Sequence, residues 1–226
     1  MIAVPDDLIL AATAWATNAQ MIRDVAKLGY LKHTDLILDP TYGAGGWWRL
    51  WHPLEGAIHG FTPTNAWYWP VDNEFPLKST LPGPWDFRDM GVGSEVFDAV
   101  AFDPPYVSVG GRATSGIRGM HDAYGMGGAP TTPQGVQTDI AAGLKECFRV
   151  VKKGGIVLVK CQSYVSSGKL WPGTFLTYQA AMTIGFQLVD HFVHVSGPRP
   201  QPDGRGPQKH ARRNQSDLLV LRRPNR

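Results

Sequence analysis

The chain has 226 residues, 43% of them apolar and 18% charged, with a net charge of +3. That length fits one domain with a sizeable core, and the composition excludes a disordered or collagen-like chain. The longest apolar runs fall short of eighteen residues, which excludes a membrane-spanning helix, and the two cysteines, Cys147 and Cys161, make neither a disulfide framework nor a metal-ligand spacing.

Asp6 to Leu28 reads as a helix, with Leu10, Ala14, Met21, Ile22 and Val25 on one side. Acidic Asp6 and Asp7 stand where a secretory signal would be basic, so the expected location is the cytoplasm. Leu36 to Asp39 reads as a short buried strand stopped by Pro40 and glycines. The region from Trp47 to Trp85 holds six of the eight tryptophans among repeated prolines, and irregular structure with one or two short strands is expected there. Phe97 to Asp103 is a second buried strand, stopped by Pro104 and Pro105, and Ile156 to Lys160 is a third. Ile140, Leu144, Phe148 and Val151 recur at helical spacing before it, and Thr174 to Thr183 predicts a helix after it. Two β-rich segments, Phe186 to Val195 and Asp217 to Leu221, close the chain. Strands alternating with helices imply an α/β domain over 1–226, with a mainly parallel sheet and an antiparallel C-terminal edge.

Two strand ends carry the chemistry. The first is Asp39-Pro40-Thr41-Tyr42-Gly43-Ala44-Gly45-Gly46, where glycines allow a tight turn and close approach to a ligand, usually at a helix N-terminus. The second is Asp103-Pro104-Pro105-Tyr106. Consecutive prolines fix φ and remove local N–H donors. An acid and a carbonyl held there can accept both hydrogens of an –NH2 group, and Tyr106 offers a face on which a base can stack. Residues 107–137 hold eight glycines and three charged residues and read as an active-site loop, with Arg112, Arg118, His121 and Tyr124 as phosphate or base contacts. A basic Pro/Gly loop spans 197–216, and seven basic residues against one acid lie between Gly204 and Arg226. His210, Arg212, Arg213 and, at a strand end, Lys160 are the further candidates for nucleic-acid contacts.

These two sites in this order resemble the amino-directed DNA methyltransferases that modify adenine N6 or cytosine N4, and in particular small methylases carried by phages and prophages. The resemblance covers most of the chain and is strongest from Asp86 to Lys160. It implies a Rossmann-like domain using S-adenosylmethionine and no metal. Asp39, Pro40, Tyr42, Gly43 and Gly45 then belong to the cofactor motif, although phenylalanine is usual where Tyr42 stands. Asp86 and Phe87 match the segment contacting the cofactor adenine, and Asp72 the ribose-binding acid. Asp103, Pro104, Pro105 and Tyr106 match the catalytic motif. The implied reaction is direct methyl transfer to a flipped-out base, adenine N6 in DNA first. Roles in restriction-modification, a monomeric or homodimeric state and a host cytoplasm go with it. The alternatives are an RNA guanine-N2 enzyme, a cytosine-N4 enzyme and a catalytically silent nucleic-acid-binding module. Cytosine C5 chemistry needs a cysteine beside a proline, which neither Cys147 nor Cys161 has.

Overall fold

A computed structural model describes residues 15–43, 45–60, 77–80, 86–108, 130–196, 209–211 and 213–226. Asp72, Arg112, Arg118, His121, Tyr124 and Arg212 lie outside the described residues, as does Ala44.

The described part of the N-terminal helix is α1, Asn18–Lys27. It does not run back through Thr17, because that residue is extended (φ −136°, ψ 154°) and caps the helix, its hydroxyl accepting from Gln20 N–H. The Gln20 side chain returns the bond to the Thr17 N–H, completing a capping box. Met21, Ile22 and Val25 face the sheet.

Among the described residues seven strands form the sheet: β1 (Leu36–Asp39), β2 (Ala57–Gly60), β3 (Leu77–Thr80), β4 (Phe97–Phe102), β5 (Val151–Cys161), β8 (Gln187–Val195) and β9 (Gln215–Arg222). Their order is β3-β2-β1-β4-β5-β9-β8. The first five pair in parallel, and β9 runs antiparallel to both β5 and β8. The expected antiparallel pair therefore exists, with the last strand inserted inside the sheet. A small hairpin, β6 (Tyr164–Ser166) and β7 (Lys169–Trp171), follows β5. It turns through Ser167 and Gly168, both at positive φ, as a two-residue hairpin loop requires.

Helix α2 (Pro133–Val150) begins with Thr132 as N-cap and Pro133 in its first turn, so the glycine-rich stretch stops short of its predicted end at 137. Pro fits there because the first helical N–H groups have no intrahelical partner. Helix α3 (Gly173–Ile184) ends on Gly185 at φ 115°. Val136, Ile140, Leu144, Val150, Val157 and Val159 pack on one face of the sheet with Leu38, Val100 and Phe102. Met21, Ile22 and Val25 pack on the other with Ile37, Ala99, Ala101 and Leu158. Among the described residues no helix is long and apolar enough to cross a membrane.

Candidate active site at the carboxyl ends of β1 and β4

The chain runs outward from β1 to β3, then crosses back to place β4 beside β1. Such a reversal is where open α/β sheets form a crevice and bind ligands, outside the strands' carboxyl ends. Asp39 ends β1, and Asp103 immediately follows β4. Ile37 and Ala101 belong to the core on the α1 side, so strand alternation turns Asp39 and Asp103 to that same side.

Thr41 joins the two turns. The Asp103 N–H donates to Thr41 Oγ1 at 2.7 Å, while the Thr41 N–H donates to Asp39 Oδ1 at 3.0 Å. The turn after Asp39 needs its glycines at two points, Gly43 at φ 54° and Gly45 at φ 69°. No full helix follows, only a 3-10 turn, Gly46–Trp48.

That turn supplies two donors the sequence reading missed. Trp48, wholly buried, donates its indole N–H to Asp39 Oδ2 at 2.8 Å, and Trp47 donates to Asp103 Oδ2 at 3.2 Å. The signal was their place directly after the glycine turn. Buried tryptophans need an acceptor for the indole N–H, and each of two adjacent acids provides one. Burial pushes the Asp39 carboxyl up to about 7, against the pull of the Trp48 and Thr41 bonds. Burial also raises Asp103, opposed by the Lys160 charge and by Trp47. With Oδ2 held by Trp47, Asp103 Oδ1 is buried without a hydrogen-bond partner. A buried acceptor left unmade is costly and usually marks a ligand position or a functional constraint.

Pro40, Pro104 and Pro105 are buried, and Tyr106 is half-buried against the α2–α3 core. Tyr42 is also buried, and its ring fills the space beside Gly45 and Gly60; a Cβ at either would come within 2.9 Å of it. Asp86 bonds Arg88 at 2.6 Å, and Arg88 reaches on to Asp139 of α2. Phe87 is a core residue, edge-on to Phe102 with centroids 5.2 Å apart, one residue before Asp103.

The basic candidates separate. Lys160 is only 2% exposed and donates to Asn18 of α1. His210 Nε2 bonds the Gly168 carbonyl of the β6–β7 turn. Arg213, with a buried unpartnered Nε, lines a cavity of about 250 Å3 beside Ser163, Thr174 and Asp217. Arg223, from the basic C-terminal stretch, is spent on structure. It donates to the Phe148, Arg149 and Val151 carbonyls, reaches Glu95 and lies over the Phe148 ring.

No protein-family model and no curated protein sequence matches the chain. Solved structures do. A proposed methyltransferase of Bacillus halodurans C-125 matches at 16% identity and TM-score 0.55, over 91% of this chain and 99% of that one. A proposed methyltransferase of Haloferax volcanii, solved with its Trm112 activator, matches at 14% identity and TM-score 0.53, over 91% and 93%. A proposed DNA modification methylase of Thermus thermophilus aligns more loosely, at 15% identity and TM-score 0.43, and covers 62% of this chain. This chain spans about half (52%) of that protein's length. At such identities the likeness concerns architecture alone: the chain shares the Rossmann-like α/β fold of these proposed methyltransferases.

Proposed function

We propose that the protein transfers a methyl group from S-adenosylmethionine to the exocyclic amino group of a DNA base, adenine N6 first. The observation that carries this reading is Asp103 Oδ1, a buried acceptor without a partner at the reversal of strand order. The chain's residues fit the cofactor. Gly43 and Gly45, both at positive φ, give the tight turn that lets backbone approach a ligand, and Asp39 ends the strand before that turn. S-adenosylmethionine supplies an electrophilic sulfonium methyl.

The amino group is a poor nucleophile because its lone pair is delocalised into the ring. Asp103 Oδ1 accepts one N–H and the Pro104 carbonyl the other, favouring a pyramidal nitrogen whose lone pair points out of the ring plane. Trp47, on the second oxygen, keeps the carboxylate from rotating. The negative charge of Asp103 then stabilises positive charge developing on nitrogen. A stacked base cannot reach such a crevice, so the target is flipped out, with Tyr106 as the stacking surface. In this reading residues 1–226 belong to one methyltransferase domain, and Arg112, Arg118, Arg212 and Arg213 serve as contacts to the DNA phosphates.

Methylation of plasmid DNA, followed by nucleoside mass spectrometry, tests the reading. N6-methyladenine is the expected product. N4-methylcytosine would move the target, N2-methylguanine formed only in RNA would move the substrate, and no product in either would return the chain to a binding role.

A further inference from the structure

Lys160 is the most deeply buried cation of the described residues for which the proposed reaction has no use. In the parallel pairing of β4 and β5, Phe102 lies opposite Val159, so Asp103 and Lys160 follow at neighbouring positions. Val157 and Val159 face the α2–α3 core, whereas Leu158 faces α1, which turns Lys160 to the α1 side with Asp103. There Asn18, the first residue of α1, accepts a hydrogen bond from the Lys160 ammonium. A lysine taken almost wholly out of water needs a compensating partner nearby, and Asn18 is neutral. The charge that answers it is Asp103, whose field and that of Lys160 act on each other. Yet Asp103 Oδ1 has no hydrogen-bond partner and Oδ2 is taken by Trp47, so the ammonium acts through space and does not occupy the acceptor.

We infer that Lys160 is a positioning residue of the active site: pinned by Asn18 one strand from Asp103, it sets a positive charge beside the Asp103 carboxyl while leaving Oδ1 open to the incoming amino group. Burial pushes the Asp103 carboxyl toward its protonated form, which accepts poorly and brings no charge, and the Lys160 charge opposes that push. A lysine bonded directly to Oδ1 would block it. Placing the charge one strand away meets both requirements. Among the described residues, the other ionisable groups that act on the pair are Asp39 from β1, which adds negative charge above about pH 7, Cys161, next to Lys160 but turned to the opposite face, and His194 from β8, whose imidazole feels the Lys160 charge and is held below its ordinary range by burial.

The inference rests on the proposed reaction for its purpose, but its test does not need that reaction. Carboxyl-carbon NMR of aspartate-labelled protein follows Asp103 directly, its resonance assigned by loss in Asp103→Asn and that of Asp39 by loss in Asp39→Asn. In Lys160→Met, similar in length and without charge, the Asp103 titration is expected to move up by about one pH unit or more. An unchanged titration overturns the inference. Where Lys160→Met fails to fold, the wild type suffices. Its Asp103 resonance should show a second inflection in alkaline solution, where Lys160 loses its proton below the ordinary lysine range, and a curve flat there overturns the inference equally. If the enzyme methylates DNA, the acid limb of the rate profile in Lys160→Met should shift by the same interval, with cofactor affinity within about twofold of wild type. A uniform loss of rate at every pH, with the limb unmoved, would mark Lys160 as merely structural and would also overturn the inference. A shifted carboxyl titration in a protein that methylates no nucleic acid would instead overturn the proposed reaction and leave the Lys160–Asp103 pair standing.

Discussion

Asp103 has one oxygen held by Trp47 and one waiting, so its substitutions should separate two contributions. Asp103→Asn keeps an acceptor and loses the charge, whereas Asp103→Ala loses both. Losing a charge-assisted hydrogen bond costs on the order of 1.5–3 kcal/mol, and more where the bond tightens in the transition state. Asp103→Ala is therefore expected to retain cofactor affinity by calorimetry while single-turnover methyl transfer falls at least about a hundredfold. Transfer at the wild-type rate would reduce the Asp-Pro-Pro-Tyr turn to a structural corner. Asp39 yields a different observable. Its carboxyl in the folded protein titrates near 7, above an ordinary value of 3.8, because burial disfavours the charge. The folded state thus binds the proton more tightly than the unfolded chain does. The resulting contribution to stability is complete below about pH 4 and is lost as pH rises through 7. Without cofactor, thermal melts of wild type should weaken across that interval relative to Asp39→Asn, which has no such proton to lose. Parallel pH curves for the two proteins would refute this.

At the scale of elements, the residues that lock the sheet to its helices were partly hidden in the sequence. Strands β1, β4 and β5 were legible because apolar runs end at proline or are introduced by glycine, and both acids could be placed at strand ends for that reason. The 3-10 turn was not. Tryptophans 47 and 48 read only as part of a Trp/Pro-rich stretch, since nothing local says which acceptor a distant strand will present. Lys160 read as a strand-end candidate for a nucleic-acid contact, because strand alternation fixes a face but not what packs over it. Arg223 was similarly obscured among basic neighbours, although it holds three carbonyls at the end of α2 and the start of β5. Arg223→Met should lower unfolding stability by roughly 2–4 kcal/mol in urea titrations, through carbonyls left without a donor. Gly143, in α2, has a comparable hidden role. A Cβ there would stand 2.4 Å from Phe102 and 2.8 Å from Phe87, so the helix can approach β4 this closely only with no side chain. Gly143→Val should cost roughly 1–3 kcal/mol by overpacking, read in the same titration, and a neutral effect would mean that helix and sheet separate freely.

For the molecule as a whole, the strand reached last in sequence lies inside the sheet, one position from its edge. Leu218, Leu219, Val220 and Leu221 of β9 are buried, and the strand bridges β5 to β8. Deleting residues 215–226 should leave two unpaired apolar edges and yield aggregated protein in gel filtration, whereas a monodisperse product would show that the remaining sheet closes without β9. The strand order was less legible than the strands, because the sequence reveals a terminal β-pair but not that its second member inserts. One consequence follows from Thr41, whose hydroxyl accepts from the Asp103 backbone while its own backbone holds Asp39. Under the proposed reaction, two ligand positions sharing that pivot would have linked affinities, and linkage is reciprocal: whatever factor cofactor added to base binding, base would add to cofactor binding. Thr41→Val removes the shared hydroxyl and leaves both acids in place. Under the proposed reaction it should bind each ligand alone nearly as wild type does and lose the cooperativity between them.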